Sequence, residues 1–212
     1  MRFFLLALLF VTRLTLAQNK FDSNIAAFAA ADRQTPPPSR PIVFTGSSSI
    51  VKWGSLAQDF AGKTVLNRGF GGSELSDVRH FADQVILAYK PKQVVVYAGE
   101  NDIANDHSAQ ETCQRLVDLF TYVRKQQPNV PFDFISIKLS PSRRKFWPVV
   151  QEANELIKNY LAKQKNARFI DIRPAMNDAS GHLIGSLFLA DSLHMNPSGY
   201  AKWVPVVKPY LR

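Results

Sequence analysis

Four short segments carry residues whose types and spacing could do chemistry together. "GSSSI" at Gly46–Ile50 sets Ser47, Ser48 and Ser49 behind an apolar run, and "DSLH" places Asp191 three positions before His194. "GFGG" supplies Gly72, and "GEND" supplies Asn101. A serine hydroxyl is a weak nucleophile until a base takes its proton. An imidazole suits that task because its unperturbed pKa, about 6.5, lies close to working pH. A local turn can aim the Asp191 carboxylate at the Nδ1–H of His194, which would fix the tautomer and stabilise the imidazolium. Asn196 and Pro197 then read as the cap and first residue of a helix that holds the histidine at its mouth. Gly72 has no Cβ to keep its N–H from a substrate oxygen. With a side-chain N–H of Asn101 and the backbone N–H of the nucleophile, that makes three donors for a developing oxyanion. Each such donor is worth about 3 kcal/mol in a transition state. The chemistry implied is acyl transfer, although residue types alone leave open which of the three serines attacks.

These segments are far apart in sequence, so the fold must gather them. "PIVFTG", "KTVLNRGF", "KQVVVYAG", "PFDFISIKL" and "ARFIDI" read as five compact apolar strands. Between them, "SELSDVRHFADQVILAY", "SAQETCQRLVDLFTYVRKQQ" and "FWPVVQEANELIKNYLAKQ" read as helices, and "NPSGYAKWVPVVKPYL" closes the chain as another. Strands alternating with helices of this length predict βαβ units and a parallel sheet buried on both faces. In such a sheet ligands meet the loops that leave the carboxyl ends of the strands. The serines, the glycines, Asn101 and the Asp191/His194 pair all fall on such loops, so the fold would bring them to one edge.

In this order the four blocks resemble the SGNH/GDSL family of serine esterases and lipases, and the resemblance spans about residues 41 to 205. The family's nucleophile stands two residues after the glycine that ends the first strand, which maps onto Ser48, with Ser49 the remaining candidate. "GFGGSE" matches its second block, with Gly72 favoured over Gly71 as the N–H donor, "GEND" its third, and "DSLH" its Asp-x-x-His block. The resemblance implies catalytic Ser48, Asp191 and His194, and an oxyanion hole of Ser48, Gly72 and Asn101. It also implies a three-layer α/β/α, flavodoxin-like sandwich with sheet order 2-1-3-4-5 and no cofactor. One departure stands out: Ser47 occupies the place of the family's usual aspartate, so the hydrogen bonding of this loop must differ.

The rest of the chain bounds the setting. "MRFFLLALLFVTRLTLA" has the basic start, apolar run and small final residues of a signal peptide over 1–17, which predicts export to the periplasm or medium unless the segment is retained as an anchor. Residues 18–40 read as a short alanine-rich helix and a proline-rich connector, and 41–212 as the catalytic domain. The net charge of +9 is scattered rather than blocked and accompanies no nucleic-acid motif, so no nucleic-acid partner is expected. Cys113 is the sole cysteine and reads as a packing residue. His80, His107 and His182 lack ligand spacing, so no metal is proposed. Glu100 and Asp106 read as solvated, and Asp171 as a structural hydrogen-bonding residue. "SPSRRKFW" puts Arg143, Arg144 and Trp147 after the fourth strand, a cationic and aromatic rim for an anionic or sugar-bearing substrate. The expected partner is a small-molecule, lipid or glycan ester; a hydrolase-like module that binds such a ligand without turnover is the alternative.

Overall fold

The computed structural model describes residues 19–212; the expected leader at 1–17 lies outside them. Five short strands, β1 (Ile42–Gly46), β2 (Val65–Gly69), β3 (Gln93–Tyr97), β4 (Phe132–Ile135) and β5 (Ala167–Ile170), form one parallel sheet in the order β2-β1-β3-β4-β5. Gly46 is level with Gly69 on one side and with Tyr97 on the other. The carboxyl ends of β1, β2 and β3 therefore open onto a common edge.

The period of two in the strands divides the core. Val94, Val96, Phe132 and Phe134 face one layer, built from α1 (Asp22–Gln34), α4 (Leu75–His80), α5 (Ala82–Val85), α7 (Ala109–Gln126) and α8 (Trp147–Leu161). Ile42, Phe44, Val95, Tyr97 and Ile135 face the other, which holds α2 (Ser48–Val51), α3 (Leu56–Asp59) and α9 (Pro197–Val207). The short α6 (Glu100–Ala104) follows β3 at the sheet edge. Each large apolar side chain so buried contributes about 1.5–3 kcal/mol. The outer strands β2 and β5 are buried only in part, unlike the fully enclosed β1, β3 and β4.

Two elements differ from the sequence reading. The helix expected over 73–89 breaks at Phe81, resumes as α5, and ends in a 3₁₀ turn at Leu87–Tyr89. The break buries Phe81 edge-on against Phe70, with centroids 6.0 Å apart, and lets the Tyr89 hydroxyl donate to Asp32 of α1 at 2.6 Å. Tertiary packing outweighs a modest helix propensity here. Strand β4 stops at Ile135 rather than Leu139, because the buried Asn154 side chain of α8 takes over the backbone of Ile137, accepting from its N–H and donating to its carbonyl at 2.8 Å each.

Candidate active site

The turn after β1 is built around Gly46. Its φ is +122°, and a Cβ there would lie 1.9 Å from the Tyr97 carbonyl oxygen, so only glycine fits. Ser47 N then donates to that carbonyl at 2.9 Å, and α2 begins at Ser48. Ser47 and Ser49 are buried, and Tyr200 of α9 donates its hydroxyl to the Ser49 carbonyl at 2.9 Å. Of the three serines, Ser48 is the one left half-buried, with Oγ 2.9 Å from Nε2 of His194.

Asp191 and His194 share a tight turn. One carboxylate oxygen accepts the backbone N–H groups of Leu193 and His194 at 2.9 Å each, and the other lies 2.6 Å from Nδ1 of His194. A carboxylate can only accept, so Nδ1 carries the proton and Nε2 presents its lone pair to the Ser48 hydroxyl. The imidazole hydrogen bond, followed by those two backbone N–H groups, holds the Asp191 carboxyl well below the usual carboxylate range. Asn196 caps α9 by accepting from Gly199 N at 3.1 Å, with Pro197 as the first helical residue.

Donors meet at the same edge. The backbone N–H groups of Ser48 and Gly72 make no hydrogen bond among the described residues. Gly72 has φ +80°, and a Cβ there would touch nothing within 4 Å, so backbone conformation rather than crowding demands glycine. Asn101 donates one Nδ2–H to the Ser73 carbonyl at 3.0 Å, leaving the second free. Its Oδ1 accepts from Nη2 of Arg143 at 3.0 Å, and Nη1 of Arg143 donates to the Glu100 carbonyl at 2.8 Å. Arg143, expected at a substrate rim, is thus turned inward onto the segment that carries Asn101.

A charged layer beneath this edge escapes the sequence reading. Glu100 is not solvated: it is 6% exposed, ion-paired with the buried Lys138, and accepts from Ser140 Oγ at 2.7 Å and Tyr97 OH at 2.9 Å. Burial pushes the Glu100 carboxyl up, but Lys138 and Arg143 outweigh it and hold the group below its ordinary value. Asp102, also buried, accepts from Leu75 N at 3.1 Å and from Arg115 at 2.9 Å; Arg115 also grips Glu74. This ties the loop of Gly72 to the segment of Asn101. Burial raises the Asp102 carboxyl, against the opposing pull of Arg115. The signal for Lys138 was present in "FISIKL", a lysine inside an apolar strand run.

The remaining candidates separate. The Arg144 guanidinium lies 5.0 Å from the Trp147 ring centroid, and both line a cavity of about 400 Å³ that Asn177, His182 and Gly185 also border. Asp171 is bonded to Arg173 and to Ser136, and Asp106 is an exposed residue with φ +64°. Cys113 is half-buried against the helical layer, and burial raises its thiol. Among the described residues, no group of three His, Cys, Asp or Glu side chains is arranged to hold a metal, and no helix is long and apolar enough to cross a membrane.

Known proteins share this architecture. Platelet-activating factor acetylhydrolase IB subunit alpha1 from Pongo abelii is 27% identical over 172 residues, covering 76% of this chain and 70% of its own. A GDSL-like lipase from Bacteroides thetaiotaomicron superposes with TM-score 0.72 at 18% identity, over 89% of this chain and 97% of that one. A family 3 carbohydrate esterase from Clostridium thermocellum does so with TM-score 0.63 at 15% identity, over 80% and 93%. At those identities the two structures speak to the fold alone. The sequence pattern of the GDSL-like Lipase/Acylhydrolase family, in contrast, matches residues 22–202, the span that holds the sheet and all four sequence blocks. The chain therefore belongs to the GDSL-like lipase/acylhydrolase family.

Proposed function

We propose that this protein is a serine hydrolase that cleaves carboxylic esters through an acyl-enzyme, with Ser48 as nucleophile, His194 as acid–base and Asp191 as its orienting carboxylate. The single observation that supports this most is the unbroken chain from Ser48 Oγ to Nε2 at 2.9 Å and from Nδ1 to Asp191 at 2.6 Å. As Ser48 Oγ attacks the ester carbon, its proton passes to Nε2, and Asp191 stabilises the imidazolium that forms. The carbonyl oxygen, now an oxyanion, takes hydrogen bonds from the free N–H groups of Ser48, Gly72 and Asn101. The imidazolium then protonates the departing alkoxide. Water, activated by the same ring, attacks the acyl-serine and releases the acid; an alcohol in place of water would make the reaction a transfer.

The acyl group in this reading is short. No lid-like apolar insertion interrupts the sequence between the strands, which leaves a long chain without cover. The curated relative carries the name acetylhydrolase, which fits this reading. The proposal includes export, on the strength of the leader-like sequence at 1–17.

A fluorophosphonate probe should label the wild-type protein on Ser48 and leave Ser48→Ala unlabelled. Acetyl nitrophenyl ester should turn over faster than the octanoyl ester, and Ser48→Ala should abolish both. Absence of labelling and of turnover in folded wild-type protein would overturn the hydrolase in favour of a non-catalytic binder.

A further inference from the structure

The turn that carries both Asp191 and His194 is bonded mostly to itself. Leu189 N donates to the His194 carbonyl at 2.7 Å and Ser192 N to the Leu189 carbonyl at 2.8 Å, while Leu193 N and His194 N donate to the Asp191 carboxylate. Among the described residues, the hydrogen bonds that tie residues 189–194 to other segments come from two serines. One is Ser48, whose Oγ meets Nε2 of His194 at 2.9 Å. The other is Ser142, which donates from N and from Oγ to the Ser192 carbonyl at 3.1 and 3.0 Å. Ser192 has φ +54°, a left-handed backbone that a serine keeps only when its surroundings hold it there. The carbonyl that Ser142 grips thus belongs to the strained link between Asp191 and His194.

Ser142 stands on firmer ground than the turn it holds. It lies in the 3₁₀ turn Pro141–Phe146, whose flanks are bonded inward. Ser140 Oγ donates to the Glu100 carboxylate at 2.7 Å, and Trp147 Nε1 donates to the Ser140 carbonyl at 2.9 Å. Arg143 donates to the Glu100 carbonyl and to Oδ1 of Asn101. Ser142 therefore ties a lightly held turn to the segment that orients Asn101.

The two ties are not available at the same time. Once Ser48 is acylated, its Oγ is an ester oxygen with no proton to donate, and its bond to Nε2 is lost. His194 still has work to do in that state. It must take a proton from water as the water oxygen bonds to the acyl carbon, then return that proton to Oγ as the bond between carbon and Oγ breaks and the acid leaves. We infer that Ser142 is a positioning residue for deacylation, holding the Asp191–His194 turn over the acyl-enzyme when Ser48 cannot, an assignment that rests on the hydrolase reading.

The test separates the two halves of the reaction with saturating acetyl nitrophenyl ester. Mass spectrometry of the quenched steady state gives the acetylated fraction of the protein. Dividing kcat by that fraction gives the deacylation rate, and dividing it by the remainder gives the acylation rate. Ser142→Ala, a change at an exposed side chain, should slow deacylation about fivefold, the scale of one hydrogen bond, and leave acylation within about twofold. Ser142→Thr, which keeps the hydroxyl, should restore the rate. Lys145→Ala, which trims another exposed side chain of the same turn, should change neither step. Fluorophosphonate labelling needs only the first half, so Ser142→Ala should label at close to the wild-type rate. Unchanged deacylation, equal slowing of both steps, or failure of Ser142→Thr to restore the rate would each overturn the assignment. If the wild type labels and turns over while Ser142→Ala deacylates normally, only the role of Ser142 falls; an unlabelled, inactive wild type removes the hydrolase reading and this role with it.

Discussion

Asn101 can serve an oxyanion only if its amide is held the right way round, and two contacts decide that. Arg143 donates to Oδ1 while the Ser73 carbonyl takes one Nδ2–H, so the free N–H has one direction left. Arg143→Gln should lower kcat about tenfold with KM little changed, a fraction of what loss of a whole oxyanion donor costs. Arg143→Lys should stay impaired, since an ammonium cannot bridge Asn101 and the Glu100 carbonyl as the planar fork does. Equal falls of kcat/KM through KM alone would contradict a positioning role. Asp191 sets a second expectation. Held far below the usual carboxylate range, it stays ionised where an ordinary carboxylate takes up its proton. Asp191→Asn should reduce kcat by on the order of 10³–10⁴, through loss of the tautomer that aims Nε2 at Ser48.

At the scale of elements, the Lys138–Glu100 pair joins β4's extension to α6 beneath the site. Lys138→Met should cost about 3–5 kcal/mol, because it strands a buried carboxylate; combining it with Glu100→Gln should recover most of the loss. The pH dependence has a definite sign. In the wild type, Glu100 titrates below its ordinary value, so its contribution is present at neutral pH and fades towards acid. Without Lys138, burial loses its largest opponent while Arg143 and Ser140 still act against it, so the carboxyl rises relative to the wild type and the variant loses most stability where Glu100 is ionised. The difference in melting temperature between the two proteins should therefore be largest near neutral pH and narrow towards acid. This pair also marks where sequence reading stops. The strands and the arrival of the serine loop, Asn101, Asp191 and His194 at one edge were legible from apolar runs and strand-end loops, while the sheet order and the choice of Ser48 came from the family resemblance. Glu100 read as solvated because its partners lie about 40 residues away, at Lys138, Ser140 and Arg143. The inward turn of Arg143 was hidden for the same reason, since a run of "RRK" carries no record of which cation faces the protein.

Across the whole molecule, the sheet has two ends with different duties. The proposed chemistry sits at the carboxyl ends of β1 and β3, while the amino ends of β3, β4 and β5 carry a separate polar cluster. There the buried Asp133 accepts from Arg168 Nε and Nη2 at 2.7 Å each and from Gln93. Gln93 and Arg168 both donate to the Tyr210 carbonyl, at 2.9 and 2.6 Å, and Gln93 accepts from Arg212 N, so the cluster clamps the C-terminal segment to the sheet. The length of β3 separates the two ends by roughly 13 Å of extended backbone. Asp133→Ala would leave the buried Gln93 amide short of a partner and release Arg168, costing about 3 kcal/mol. For a domain of this size that corresponds to a fall in melting temperature of about 6–12 °C. Turnover at room temperature, measured well below the transition, should remain within about twofold of wild type, because distant sites perturb each other by only a few tenths of a kcal/mol. A comparable fall in kcat at that temperature, in protein still fully folded by circular dichroism, would mean that the clamp reaches the catalytic edge through the short strands.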